Sequence, residues 1–212
     1  MLRQRGVGGV ITTAPVADAS VAENTAAPVV DPNKVYKLGD TGPAGGLIFY
    51  DKGNNLDGWR YMEAAPANTE KRFAWWVQRY LKEVPSNAGA YDRGFEIGNG
   101  KTHTQRLMKL VNDNCGIYNN ELPAILYCST LEVNGYKDWF LPSVNELKLM
   151  RRNLHIRGLG NFNDENYWSS NVGGPGSTGI DNWWFYFVDF RYGEHKGTSG
   201  NGTFRVRAAR RF

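Results

Sequence analysis

The chain has 212 residues, of which 41% are hydrophobic and 13% are aromatic, and it contains 25 glycines, seven tryptophans and eleven tyrosines. This composition argues against a helical bundle, because glycine favours turns and aromatic rings supply rigid contact area in loop-rich proteins. The formal charge of +4 comes without a wide basic stripe or a known nucleic-acid-binding motif, which argues against nucleic-acid binding. No apolar run is long enough to span a bilayer, so we expect no membrane insertion.

The first 34 residues differ from the rest of the chain. They are rich in Ala, Val, Thr and Pro and contain no aromatic residue. Such a segment has little to bury, so we predict an extended linker or docking arm over 1–34 and a compact domain over 35–212. The two cysteines, Cys115 and Cys128, fit no metal-ligand spacing. Two buried thiols are favoured, and one disulfide is the alternative if the protein is exported.

The first half of the domain is predicted to contain short strands followed by two helices. Val35–Gly46 is predicted as a strand that ends in a glycine turn, and Leu47–Tyr50 and Gly58–Ala64 as further strands. Apolar residues from Phe73 to Leu81 follow the i, i+3, i+4, i+7, i+8 spacing of an amphipathic helix. Lys101–Asn112 shows a similar apolar face and is predicted as the second helix.

The third predicted helix follows Pro142 and begins at a capping box that Ser143 and Glu146 form. From Asn161 onward the pattern changes to strands and loops. Strands are predicted over 167–170, over 183–192 as the longest, and over 202–207. Helices early and strands late indicate the α+β class.

Four arginines lie within the last eight residues, at Arg205, Arg207, Arg210 and Arg211. We predict a terminal strand whose arginines are solvated or paired with carboxylates. Arg205 and Arg207 share one face of a strand by its two-residue period. Pairing with a carboxylate such as Asp189 is favoured over anion binding.

Several short blocks follow one another along the domain and together form a recognisable series. The blocks are Gly39-Asp40, Gly42-Pro43-Ala44-Gly45-Gly46, Ile48-Phe49-Tyr50, Gly58-Trp59-Arg60-Tyr61, Glu63-Ala64-Ala65-Pro66, Ile97-Gly98-Asn99-Gly100-Lys101, Asp138-Trp139-Phe140-Leu141-Pro142-Ser143, Glu146-Leu147, Tyr167-Trp168-Ser169-Ser170, Val188-Asp189-Phe190, Gly193 and Arg205-Val206-Arg207. From about Tyr36 to Phe212, the series resembles the bacterial and viral domain family named for the C-terminal domain of a collagen-like adhesin. The resemblance implies a C-type-lectin-like fold, related to that of the formylglycine-generating enzymes.

The domain is also similar to the variable proteins of diversity-generating retroelements, such as the phage major tropism determinant. Those proteins place their diversified binding residues in the final strands and loops of this fold. The resemblance thus implies a receptor-binding or adhesin-type protein that is exposed on a cell surface, secreted or part of a virion. Its expected partner is a protein or glycan on a cell surface, and an oligomer is left open. Trp139 and Trp168 are expected in the core.

The aromatic stretch from Asp181 to Tyr192 carries the prediction of a binding surface. The resemblance directs Val188 and Phe190 inward, and period-two alternation adds Trp184 and Tyr186 to the same inner face. The residues of the opposite face are then Trp183, Phe185, Phe187, Asp189 and Arg191.

Three of these five outward residues are aromatic, which allows two interpretations. A second layer, such as the predicted helix around Trp76, would bury the strand on both faces. The favoured interpretation is an exposed aromatic platform with polar neighbours, as in adaptable binding surfaces. Burial in a homo-oligomer interface is a third outcome. The predicted ligand-binding residues are Asn171, Asp181, Asn182, Trp183, Phe185, Phe187, Arg191, Tyr192 and His195.

No metal site is predicted from the histidines, because His103, His155 and His195 show no ligand spacing. The calcium-dependent sugar-binding motifs of true lectins are absent. A structural calcium ion held by loop carboxylates such as Asp164 and Glu165 is left open, and no other cofactor is expected.

The sequence favours a protein that is not an enzyme. Formylglycine-generating chemistry uses a reactive cysteine pair late in the domain, and no cysteine follows Cys128. No base is apparent near either thiol, and no nucleophile-elbow motif is present. The alternatives are an enzyme of this kind and a structural decoration protein of a virion or cell surface.

Overall fold

The computed structural model describes residues 34–76, 94–113, 122–173 and 184–212. Its helices are α1 (Asn99–Asn112), α2 (Pro123–Thr130) and α3 (Val144–Asn153). Its strands are β1 (Leu47–Asp51), β2 (Tyr61–Ala64), β3 (Lys71–Ala74), β4 (Asn166–Gly173), β5 (Trp184–Asp189), β6 (His195–Thr198), β7 (Thr203–Val206) and β8 (Ala209–Arg211). The α+β class is confirmed for these residues, although three strands precede the first helix.

The strands form two sheets that the C-terminal part of the chain completes. One sheet has the order β1-β2-β8 and the other the order β3-β7-β4-β5-β6. Neighbouring strands are antiparallel, except that β4 and β7 run parallel. The strand predicted at 202–207, expected to pair with the strand at 183–192 or with a neighbour of it, is confirmed as β7. It lies between β3 and β4, so it pairs with β4, the neighbour of β5, and not with β5 itself.

Two apolar clusters cover the opposite faces of the five-stranded sheet. One packs α1 and α2 against Trp168, Phe185 and Phe187, and the other packs α3 against Tyr167, Val188 and Phe190. The core also contains Trp139, which is 3% exposed, and Trp168, which is fully buried. Both tryptophans are therefore core residues, as expected.

The segment after Pro66 departs from its predicted helix. Residues 71–74 form β3, in which Phe73 pairs with Phe204 of β7, and the backbone N–H groups of Trp75 and Trp76 donate to the carbonyl of Gly200. Pairing with a distant strand overrides the local helical pattern. Residues 77–81 lie outside the described residues.

Two further predictions in the first half need correction. Residues 35–46 form turns with an isolated bridge between Thr41 and Leu47, so the strand predicted there is wrong. Helix α2 had no counterpart among the predicted elements, because its eight residues are too few to show a clear period. The predictions for β1, β2, α1 and α3 are confirmed within a few residues.

The capping box of α3 is present and extends into a larger buried junction. The Ser143 hydroxyl accepts from the Glu146 N–H, and the Glu146 carboxylate accepts from the Ser143 N–H at 2.7 Å. The same carboxylate accepts from the N–H groups of Gly98, at 2.7 Å, and Gly100, at 3.4 Å. A Cβ on Gly100 would lie 2.3 Å from a Glu146 carboxylate oxygen. Glycine is thus required at position 100, where the first turn of α1 meets the start of α3.

Stability is expected to depend on the protonation of Glu146. Burial raises the pKa of this carboxyl from its usual 4.5 to about 7, although backbone N–H donors oppose the rise. The unfolded chain therefore releases the proton first as pH rises. The stabilisation of the folded state by the protonated Glu146 carboxyl is fully present below pH 4.5, and it is lost between pH 4.5 and about pH 7. Because one pKa unit corresponds to about 1.4 kcal/mol, the loss amounts to about 3 kcal/mol.

The measurement is the free energy of unfolding of the wild-type chain and of Glu146→Gln at a series of pH values. Glutamine keeps a capping-box side chain without the titration. We expect the variant to gain stability relative to the wild type as pH rises over this interval. If the wild type instead gained stability relative to Glu146→Gln as pH rises, the backbone N–H donors would affect the pKa of Glu146 more than burial does.

Three of the C-terminal arginines are bound to carboxylates. The Glu70 carboxylate contacts Arg205 at 2.7 Å and Arg207 at 2.6 Å, and Arg205 also contacts Glu165 at 2.6 Å. The prediction of carboxylate pairing is confirmed, but Asp189 is not the partner.

A second cluster of charge joins β8 to β2. Arg210 contacts Glu63 at 2.7 Å and Asp138 at 2.8 Å. Arg211 instead donates to the carbonyl of Gly98 at 3.0 Å. The C-terminal arginines thus attach the last strands to the rest of the domain.

Candidate functional site

Strand β5 does not present the predicted aromatic platform. Phe185 is 5% exposed and Phe187 is 8% exposed, so the prediction that both rings face solvent is wrong. The Phe185 ring lies 4.4 Å from that of Trp75, and the Phe187 ring lies 4.9 Å from that of Phe204. The second-layer interpretation is correct for these two rings, with the cover supplied by helices α1 and α2 and the chain after β3.

Asn171 is also buried. The prediction that it lies beside an exposed binding surface is therefore wrong. The pairing of β4 with β5 is irregular between Trp168 and Val172. Within this irregularity the Asn171 amide accepts from the Val144 N–H at 2.8 Å and donates to the Gly94 carbonyl at 2.9 Å. Its contacts therefore join β4 to the start of α3. The predicted residues Asp181, Asn182 and Trp183 lie outside the described residues.

The β5–β6 hairpin carries the two most exposed aromatic side chains of the described residues. Trp184 is 46% exposed and Tyr192 is 66% exposed. Tyr192 was a predicted site residue, whereas Trp184 was predicted on the inner face. Its cross-strand partner on β4 is Gly173, and a Cβ on Gly197 of β6 would lie 3.1 Å from its Cβ. Glycines on both flanking strands are the sequence signal that could have revealed an open indole.

A half-buried lysine and histidine lie further along the hairpin, where His195 is the cross-strand partner of Val188. Lys148 Nζ on α3 is 3.1 Å from His195 Nδ1 at the start of β6. The His195 ring packs 5.1 Å from that of Phe95 and 6.2 Å from that of Tyr186. Burial, and then the charge of Lys148, lowers the pKa of His195. The lowered pKa favours the neutral imidazole, whose unprotonated Nδ1 can accept a hydrogen bond from Lys148 Nζ.

A polar cleft lies at the other end of β5, where Arg191 follows the strand. Its volume is about 320 Å³, and Asp189, Arg191, Asn166 and Phe204 are among the residues that line it. Arg191 is exposed, as predicted for a site residue. Trp184 and Arg191 are thus at opposite ends of one strand.

The carboxylates that could have held a structural calcium ion have other partners. Both oxygens of Glu165 contact arginines, Arg205 and Arg72, and the Asp164 carboxylate lies 2.9 Å from His155 Nε2. Across the four described ranges, no group of three or more His, Cys, Asp or Glu side chains could hold a metal ion.

No model of a protein family and no curated protein matches this chain. None of the helices in the described parts of the chain is sufficiently long and apolar to cross a membrane.

Proposed function

We propose that the chain is a non-enzymatic ligand-binding module that presents its β5–β6 hairpin on a C-type-lectin-like scaffold. The exposure of Trp184 and Tyr192 on that hairpin carries the proposal. The family resemblance of the sequence, together with the α+β architecture, supports the scaffold and a receptor-binding or adhesin-type role. The retroelement subclass is part of the same proposal.

The surroundings of Trp184 suit recognition of a partner. Gly173 and Gly197 flank the indole and leave it without bulky neighbours on the adjacent strands. His195 of the same hairpin and Lys148 of α3 add hydrogen-bonding groups closer to its turn. Rigid aromatic rings beside adaptable polar groups provide contact area at a low cost in conformational entropy.

A thiol-based enzyme is the weaker candidate. Cys128 is a buried free thiol, and burial raises its pKa well above the usual value. A thiol nucleophile needs the opposite, a lowered pKa and access to substrate. Cys115 lies outside the described residues. A structural decoration protein is the remaining alternative and would bind no variable partner.

Substitution of the two exposed rings tests the proposal. The wild-type chain is first screened against immobilised glycans and cell-surface proteins. For a ligand found there, Trp184→Ala and Tyr192→Ala are expected to weaken binding, each by about 30-fold if the ring is a hot spot worth about 2 kcal/mol. The readout is the dissociation constant from surface plasmon resonance.

Leu56→Ala is the matched control, because Leu56 is 86% exposed and lies between β1 and β2, away from the hairpin. It should bind as the wild type does. Unchanged affinity in both aromatic variants would rule out the hairpin as the binding surface. A near-duplicate of the C-terminal coding region, differing at adenines and lying beside a reverse transcriptase gene, would support the retroelement subclass.

A further inference from the structure

The polar cleft at the end of β5 has features of a small-molecule site of its own. Its volume of about 320 Å³ lies at the lower end of the range for ligand pockets, roughly 300–1,000 Å³. Asn166 and Asp189 are cross-strand partners on β4 and β5, so their side chains lie on the same face. Phe204 of β7 adds an aromatic surface to the lining.

One wall of the cleft consists of charges that neutralise one another. Arg72 forms an ion pair with Glu165, and Glu165 also contacts Arg205 at 2.6 Å. These groups have direct partners of opposite charge. They line or support the cleft, but because their charges are already compensated they do not need a charged ligand.

Asp189 and Arg191 behave differently, although both also line the cleft. Among the described residues, neither side chain forms an ion pair, and the two do not pair with each other. One carboxylate oxygen of Asp189 accepts from the backbone N–H of Arg191 at 2.8 Å, which leaves the other oxygen available. The Arg191 guanidinium donates to the Asp164 carbonyl at 3.1 Å and lies 5.7 Å from the Tyr192 ring centre.

These contacts hold the two side chains in place without neutralising them. Elsewhere in the domain, neighbouring opposite charges contact directly, as Arg207 and Glu70 do at 2.6 Å. In the cleft, a carboxylate and a guanidinium are kept apart and share one small space. A ligand that carries both an ammonium and a carboxylate group would satisfy both residues at once.

We infer that this cleft binds a free α-amino acid. Asp189 receives the ammonium group, Arg191 receives the carboxylate, and Phe204 contacts an apolar side chain. Asn166 offers an amide to either charged group. The site lies at the opposite end of β5 from Trp184 and meets the proposed recognition surface only where Arg191 adjoins Tyr192. A small-molecule ligand in this cleft therefore goes beyond the proposed function.

The test is binding of L-phenylalanine to the full chain, measured by isothermal titration calorimetry and by ligand-observed NMR. We expect a dissociation constant below ~1 mM, which corresponds to about 4 kcal/mol. N-acetyl-L-phenylalanine lacks the ammonium group, and L-phenylalaninamide lacks the carboxylate. Each should bind at least ~10-fold more weakly, since each leaves one charged group of the cleft without its partner.

Substitutions test whether Asp189 and Arg191 are the residues that bind the amino acid. Asp189→Asn and Arg191→Gln should each weaken L-phenylalanine binding at least ~10-fold, as expected when one member of a charge pair is lost. The exposed residues Asp57 and Arg157 provide the controls Asp57→Asn and Arg157→Gln, which should bind normally. The melting temperature of each variant verifies folding.

Three results would overturn the inference. They are no binding of L-phenylalanine or of the other common amino acids at ~10 mM, binding of the two blocked compounds as tight as that of L-phenylalanine, or full binding of L-phenylalanine by both cleft variants. Trp184→Ala separates this site from the hairpin surface. It should leave amino-acid binding unchanged even if it abolishes binding of a macromolecular partner.

Discussion

Glu70→Ala is expected to destabilise the domain by about 3–5 kcal/mol, the usual cost of removing one partner from a buried ion pair. The Glu70 side chain is 5% exposed and that of Arg207 is 1% exposed. Arg207 donates to Glu70 from both Nε, at 2.9 Å, and Nη2, at 2.6 Å. The Tyr167 hydroxyl donates to the same carboxylate at 3.0 Å. The substitution would therefore leave a buried guanidinium without its counter-charge.

Because of the position of Glu70 in the fold, we expect the loss of its carboxylate to destabilise the whole domain. Glu70 precedes β3, Tyr167 belongs to β4, and Arg205 and Arg207 lie at the end of β7 and just beyond it. One carboxylate thus joins three strands of the larger sheet near one end. The free energy of unfolding of a whole domain is only about 5–15 kcal/mol. The expected destabilisation by Glu70→Ala is therefore a large fraction of it.

Chemical denaturation followed by tryptophan fluorescence measures the effect of this substitution. Glu132→Ala is the matched control, because Glu132 and its partner Lys137 are 54% and 72% exposed. Exposed pairs contribute about 0–1 kcal/mol. A loss in Glu70→Ala no larger than in Glu132→Ala would contradict the assigned role of the buried network.

Phe185→Ala is expected to cost about 3–5 kcal/mol, the range for truncating a buried phenylalanine. Its ring lies 4.4 Å from that of Trp75 and 5.8 Å from that of Trp76. Removing it opens a cavity between β5 and the chain after β3. The same substitution in an exposed ring would change stability by about 0.5 kcal/mol or less.

The neighbouring residue Trp184 supplies that comparison, because it is 46% exposed on the same strand. Trp184→Ala should unfold at nearly the same denaturant concentration as the wild type, whereas Phe185→Ala should unfold at a much lower one. Equal midpoints for the two variants would show that β5 is not buried on the Phe185 face. The pair thus separates rings that build the core from rings that are available to a partner.

Elements whose signals are local could be predicted from the sequence. The capping box at Ser143 and Glu146 identifies the start of α3, because each side chain satisfies the other's backbone N–H within one turn. The residues Thr104, Leu107, Met108 and Val111 of α1 recur at helical spacing, which indicates a helix. For the candidate site, the sequence correctly indicated that Tyr192 and Arg191 are exposed.

Features that depend on distant partners could not be predicted in this way. Phe73 has helical spacing but lies in β3, because β7 offers it a cross-strand partner about 130 positions later. Asn171 of β4 is a polar residue of the kind usually found on the surface, but it is buried against the start of α3. Neither outcome has a signal in the neighbouring residues.

By itself, the sequence indicated the class of the fold, the capped helix and the core tryptophans. It also favoured carboxylate pairing of the C-terminal arginines, which three of the four show. Only the tertiary structure decided which rings of β5 meet solvent. Alternation along a strand assigns residues to two faces but does not say which face is covered, because the cover comes from elements far away in the chain. Helices α1 and α2 cover Phe185 and Phe187, while glycines on both sides leave Trp184 open.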